Sequence, residues 1–297
     1  MFEKIVLSTD LSSDWDDIVA CAEEFKVLGC KEIILTHVLG AKGLDVHDME
    51  TFLSPEGQAR LEAQKNRLES QGFRVAVETP AGLPALSLNE VTQRHSASLI
   101  VMGSHGKSPW REAILGSVSN ALLHHARFPI LLINVKRLRE EALGAICQLR
   151  TTELLRHVLF PTDFSEIADE AAKVLESLVS KGLSEVTVLH TLEMVESHPT
   201  AVLRPDEGPP RSRLKIEEER FRKAGVPRVN SHFTKGHPIS RILEALREGN
   251  FSLVLMGAQG KGLVSEIFLG SVAYNIARLA PCPVLLIPRA QEMKKDS

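Results

Sequence analysis

The sequence predicts an α/β fold built twice, each copy a doubly wound parallel sheet of five strands with helices on both faces. Two observations predict it. The first is an internal duplication: Gly103-Ser-His-Gly106, nine residues, then Gly116-Ser117 recurs 154 residues later as Gly257-Ala-Gln-Gly260, nine residues, Gly270-Ser271. A repeat of this length means two domains rather than a solenoid, whose units are far shorter. The second is the alternation within each half of short apolar runs with helical segments. The runs are continuously apolar, as in a parallel sheet covered on both faces.

The repeat extends over the whole chain in the same order. Lys4-Ile-Val-Leu-Ser-Thr-Asp10 answers His157-Val-Leu-Phe-Pro-Thr-Asp163, and Glu32–His37 answers Glu185–His190. Gly82-Leu-Pro84 answers Gly236-His-Pro238, and Phe128–Ile133 answers Pro281–Ile287. Strands are expected near 4–9, 32–38, 73–78, 98–103 and 129–135, then near 157–162, 186–192, 229–234, 252–257 and 283–288. Helices are expected over Asp14–Lys26, Pro55–Ser70, Pro84–His95 and Gly116–Ala126. Pro84 and Pro238 suit a first helical turn, where the missing N–H is harmless. The reading divides the chain into a domain at 1–137, a connector at 138–152 with short-helix character, a second domain at 153–290 and a polar tail at 291–297. Residues 40–54 and 193–213 read as excursions, the latter a mobile loop because of His198-Pro, Arg204-Pro and Gly208-Pro-Pro.

Composition narrows the function classes. At 297 residues each half has enough chain to bury its own core. A net charge of -3 supplies no bulk attraction to nucleic acid or to an anionic membrane. No apolar run approaches the roughly 20 residues of a membrane span, and the N-terminus enters a strand pattern at once, so a cytoplasmic protein is expected. The four cysteines (Cys21, Cys30, Cys147 and Cys282) are scattered and read as reduced thiols.

The chemistry concentrates where the strands end. Open α/β sheets bind ligands beyond the carboxyl ends of strands at the point where strand order reverses. Gly103 and Gly106, with Gly257 and Gly260, let a backbone approach a ligand and permit positive φ. Gly116-Ser117 and Gly270-Ser271 open helices, whose free N–H groups and dipole favour an anion. The serine hydroxyls either cap those helices or bond a phosphate oxygen. Asp10 and Asp163 end the first strands. Each partners a ribose hydroxyl or the water of a divalent cation, or caps the next helix. A Walker A loop is excluded because Val101 stands where its first glycine would be, and no G-x-G-x-x-G follows either first strand. His37 and His190 read as strand-end imidazoles satisfied by backbone. His124 and His125, adjacent on a helix, point apart and do not read as metal ligands.

These motifs together resemble the universal stress protein family in a tandem two-domain form. The carriers are the aspartate after strand one, Gly-x-x-Gly-x9-Gly-Ser, and Gly-x-Pro before the third helix. The resemblance implies a flavodoxin/Rossmann-like sandwich of strand order 3-2-1-4-5 and an adenine nucleotide (ATP, or AMP/ADP) in each half, with Mg2+ or Mn2+ as its candidate companion. It assigns nucleotide contacts to Thr9, Asp10, Val38, Met102, Gly103, Gly106, Gly116, Ser117, Val118 and Ser119. In the second half it assigns them to Thr162, Asp163, Thr191, Met256, Gly257, Gly260, Gly270, Ser271 and Val272. Val38 and Thr191 match the position whose backbone reads adenine. Ser119 is replaced by Ala273, so the first site is expected to be modestly tighter. The family's fifth strand makes a dimer contact, which implies an intramolecular pseudo-dimer of the two halves, with a homodimer also open. Catalytic residues and a resident metal are not expected. A nucleotide-responsive stress or signalling module leads, with a protein-interaction scaffold or a slow ATP-using enzyme as alternatives. The related pyrophosphatase-loop enzymes are disfavoured because Ser-Thr-Asp-Leu-Ser-Ser and Pro-Thr-Asp-Phe-Ser-Glu replace their Ser-Gly-Gly-x-Asp-Ser loop.

Overall fold

A computed structural model describes residues 1–40, 53–103, 115–133, 154–193, 207–260 and 269–289. The first half runs β1 (Lys4–Ser8), α1 (Ser13–Ala20), β2 (Glu32–Thr36), α2 (Pro55–Ser70), β3 (Arg74–Glu78), α3 (Pro84–Arg94), β4 (Leu99–Gly103), α4 (Ser117–His124) and β5 (Ile130–Ile133). The second runs β6 (Val158–Pro161), α5 (Glu166–Ser177), β7 (Glu185–Leu192), α6 (Gly208–Ala224), β8 (Arg228–Lys235), α7 (Pro238–Glu248), β9 (Leu253–Gly257), α8 (Ser271–Leu279) and β10 (Val284–Ile287).

All these strands form one sheet, in the order β3-β2-β1-β4-β5-β10-β9-β6-β7-β8. Read from either edge the order is 3-2-1-4-5, as expected for each half. Every pairing is parallel except the central one, where β5 meets β10 antiparallel through Leu132–Val284, Leu131–Leu285 and Ile130–Leu286. The sheet therefore continues from one half into the other.

Successive strand residues point to opposite faces, and two cores result. Ile5, Leu7, Ile33, Leu35, Leu99 and Val101 pack on one face against Ile18, Leu61, Leu68, Leu175 and Phe221 of α1, α2, α5 and α6. Val6, Ile34, Ile100 and Met102 pack on the other against Leu88, Leu122, Ile242 and Ile276 of α3, α4, α7 and α8. Each core draws residues from both halves, so the seam between β5 and β10 is buried on both faces.

Three local expectations are corrected. The helix expected over Asp14–Lys26 ends at Ala20 and tightens into a 3-10 turn at Ala22–Lys26. There Cys21 bonds Ile18 and Glu24 bonds Cys21 through i→i+3 contacts, which puts Phe25 and Leu28 into the core before Gly29 (φ 94) reverses the chain. The loop expected through 213 gives way to α6 at Gly208. Pro209 and Pro210 stand in the first turn, where no N–H is required. Cys21 is disulfide-bonded, against the expectation of reduced thiols. Neither Cys30 nor Cys282 is disulfide-bonded, and burial pushes the Cys30 thiol up to about 12, which leaves it protonated and inert. Cys147, the connector at 138–152 and the tail at 291–297 lie outside the described residues.

Candidate functional site

The turn after each first strand is built twice from the same bonds. The side-chain oxygen of Thr9 accepts from Leu11 N at 3.0 Å, and Asp10 Oδ1 accepts from Ser12 N at 2.9 Å. Thr162 accepts from Phe164 N, and Asp163 Oδ1 from Ser165 N, both at 3.0 Å. His37 Nδ1 donates to Thr9 O and His190 Nδ1 to Thr162 O, both at 2.8 Å. A carbonyl can only accept, so each imidazole carries its proton on Nδ1 and serves the turn. Both histidines thus brace their turns, as their strand-end position suggests, and His190 also borders the cavity of the second half.

Two residues that sequence reasoning missed complete this turn. Leu11 and Phe164 have φ of 59° and 60°, a left-handed conformation uncommon outside glycine. Each is held by an arginine from the helix after strand two: Arg60 Nη1 donates to Leu11 O at 3.1 Å, and Arg213 Nη2 to Phe164 O at 2.9 Å. Arg60 and Arg213 occupy matching places in the repeat, so aligning the halves was the signal that could have found them. The second half adds a stack absent from the first. The Phe164 and His190 ring centroids are 4.4 Å apart, Phe233 lies 6.0 Å beyond, and the Arg213 guanidinium covers Phe164 at 4.7 Å. Arg213 thus braces Phe164 through both its carbonyl and its ring.

In the second half a cavity of about 1260 Å³ opens past the ends of β6 and β9. Thr162, Asp163 and Thr191 line it from the β6–β7 side. Met256, Gly257 and Gly260 line it from β9, and Gly270, Ser271 and Val272 from the start of α8. All nine residues singled out in this half therefore meet at one place. Pro238, Ile242, Met256 and Leu269 give part of the cavity an apolar wall. Leu189 O accepts from Thr162 N at the end of β6, and Leu192 O accepts from Gly236 N beyond β8, so the alternation of the strand turns the peptide groups of Thr191 to the β6 side.

The glycines are needed for room rather than for positive φ. A Cβ on Gly260 would stand 2.8 Å from Asp163 Oδ2, and one on Gly257 2.9 Å from Ile167 Cγ2. Gly260 thus lets the loop after β9 close against the aspartate, and Gly257 lets α5 lie on the strand. Gly270 occupies the N-cap of α8 without a side-chain cap, and α4 begins the same way at Gly116. Ser117 and Ser271 are the first helical residues and do not cap. The cap of α5 belongs to Ser165, whose Oγ accepts from Ala168 N at 3.2 Å, while Asp163 holds the turn before it.

In the first half Thr9 is buried, Asp10 and Val38 are partly exposed, and Met102 and Gly103 end the buried β4. Val38 stands between His37 and Leu39, whose N–H groups go to Glu78 O and Pro80 O, so its own peptide faces the β1 side. Gly116, Ser117 and Val118 open α4, and Gly106 lies outside the described residues. Ser119 is only 3% exposed and donates to Gly103 O at 2.8 Å. Its proton ties β4 to α4, so the expected advantage of the first site loses its basis.

Glu217, near Arg213 on α6, departs from ordinary behaviour. Burial raises its carboxyl above the usual carboxylate range, and the Asp169 and Glu176 charges push the same way against Arg220 and Arg213. Its Oε2 is buried without a hydrogen bond. Gln64 stands at the matching place in the first half, accepting from Thr9 Oγ1 at 3.0 Å and donating to Asp16 Oδ1 at 3.2 Å.

The model of the universal stress protein family matches residues 1–134 and again 155–288. The chain belongs to the universal stress protein family, as a tandem repeat. A universal stress protein of Methanocaldococcus jannaschii is 28% identical over 157 residues, which are 46% of this chain and 97% of that protein. One from Mycobacterium tuberculosis is 25% identical over 246 residues, covering 81% of this chain and 75% of its own. The crystal structure of a universal stress protein from Archaeoglobus fulgidus superposes with a TM-score of 0.77 at 26% identity, over 97% of this chain and 99% of that one. Among the described residues of this universal stress protein, no helix is long and apolar enough to cross a membrane, and no cluster of three or more His, Cys, Asp or Glu could hold a metal ion.

Proposed function

We propose that this universal stress protein binds an adenine nucleotide in each half and acts as a nucleotide-responsive stress or signalling module. One observation carries the reading: the cavity of the second half joins an apolar wall, two glycines and an uncapped helix N-terminus beside Asp163. An apolar wall suits a flat base. Close-approaching backbone and exposed helix N–H groups suit phosphates, and a carboxylate suits a ribose hydroxyl. A magnesium or manganese ion brought with the phosphates would find Asp163 as a carboxylate ligand and take its other ligands from phosphate and water. The β5–β10 pairing acts, on this reading, as the internal counterpart of a dimer contact, with 138–152 as the connector between the two domains.

The test is to purify the protein, denature it and identify any released nucleotide by mass, with its stoichiometry. The expected result approaches two adenine nucleotides per chain. No released nucleotide, followed by no calorimetric binding of ATP, ADP or AMP with magnesium, overturns the reading and leaves the scaffold as the better account.

A further inference from the structure

Asn120 and His124 belong to α4 of the first half, yet both line the cavity of the second. They lie four residues apart and so share one face of the helix. The antiparallel join of β5 to β10 brings them there, because α4 and α8 each precede one of those strands and pack on the same sheet face. The His124 ring centroid stands 6.3 Å from that of Tyr274, about one turn into α8 from Ser271. Both residues are partly exposed, and neither side chain makes a hydrogen bond among the described residues. The cavity, about 1260 Å³, exceeds the roughly 300–1,000 Å³ of an ordinary small-molecule site. A ligand seated against α8 therefore has room to reach across the seam. The duplication does not explain the pair, because Tyr274 and Arg278 occupy the matching positions of α8.

We propose that the second-half site is composite, completed by Asn120 and His124 of the first half, which hydrogen-bond the phosphate end of the bound nucleotide. The inference rests on the nucleotide reading above and adds which half supplies the wall. An isolated second half would hold the turn, the glycines and the helix start without the polar groups opposite them.

Titration calorimetry of the full chain with ATP and magnesium tests this. Ser117→Asp places a carboxylate at the start of α4 and repels phosphate from the first half, so the remaining binding reports the second. Adding Asn120→Ala and His124→Ala to that background lowers the remaining affinity about tenfold, the scale of lost hydrogen bonds to a charged group. Asn120→Asp, of equal size but negative, lowers it as well and does so without opening a void. Unchanged affinity for either set of changes overturns the composite site and leaves nucleotide binding intact. A wild-type chain that binds no ATP overturns both.

Discussion

Gly260 shows how narrowly single atoms decide the proposed site. A methyl group there would lie 2.8 Å from Asp163 Oδ2, so either the loop or the carboxylate must move. Gly260→Ala is expected to weaken ATP binding in the second half about tenfold or more while leaving thermal stability nearly unchanged, which calorimetry and a melting curve read separately. Glu217 is the opposite case, a residue whose chemistry the fold tolerates at a cost. Its carboxyl is raised, so its contribution is fully present below the ordinary carboxylate value near 4.5 and is lost as pH rises through the raised value. Glu217→Gln, which copies Gln64, is therefore expected to raise the melting temperature at pH 7 and to change little at pH 4. A melting temperature that falls at pH 7 would show that the Arg220 contact at 3.6 Å outweighs the burial.

Among the elements, α4 and α8 carry the most consequence. Each starts at a glycine with no side-chain cap, leaving first-turn N–H groups for a ligand instead of for the chain. Ser271→Asp separates the two roles of such a terminus. A carboxylate in the first turn favours the helix by about 0.3–1 kcal/mol, yet it repels phosphate. Binding of ATP to the second half is expected to fall tenfold or more while the melting temperature holds or rises. A parallel loss of both would mean that Ser271 supports the fold rather than a ligand. The existence of these helices was legible from Gly116-Ser117 and Gly270-Ser271, that of α3 and α7 from Pro84 and Pro238, and that of the strands from apolar runs. The boundaries were not always so. The 3-10 turn after α1 follows from seating Phe25 and Leu28 in a core that the local sequence does not display. The start of α6 was hidden because Gly208-Pro209-Pro210 carries the same signal for a loop and for a first helical turn.

Across the whole molecule, the seam between β5 and β10 joins two repeats into one sheet with shared cores. Leu131 and Leu285 face each other across it and belong to a single core that spans both halves. Leu285→Ala is expected to destabilise the protein by about 2–5 kcal/mol and to lower the unfolding midpoint of the entire chain. Both tryptophans, Trp15 and Trp110, lie in the first half, so their fluorescence reports that half while far-UV circular dichroism reports both. Coincident transitions in the wild type, shifted together by the substitution, are the expected outcome. Separate transitions would mean that the shared core does not couple the halves.

The sequence by itself determined the duplication, the parallel sheet, and the aspartate and glycine motifs of the second half, while the family resemblance supplied the rest of the nine residues that gather round one cavity. It could do so because a buried strand reads as an apolar run and a glycine motif reads by its spacing. Tertiary structure alone decided what depends on residues distant in the chain. Arg60 and Arg213 meet Leu11 and Phe164 across 49 positions, and Ser119 spends its proton on Gly103 across 16. Asn120 and His124 reach the opposite half only because β5 and β10 run antiparallel. Spacing records what neighbours in the chain can do, whereas a hydrogen bond or a shared cavity depends on which strands lie side by side, and that choice is made by the packing of the whole sheet.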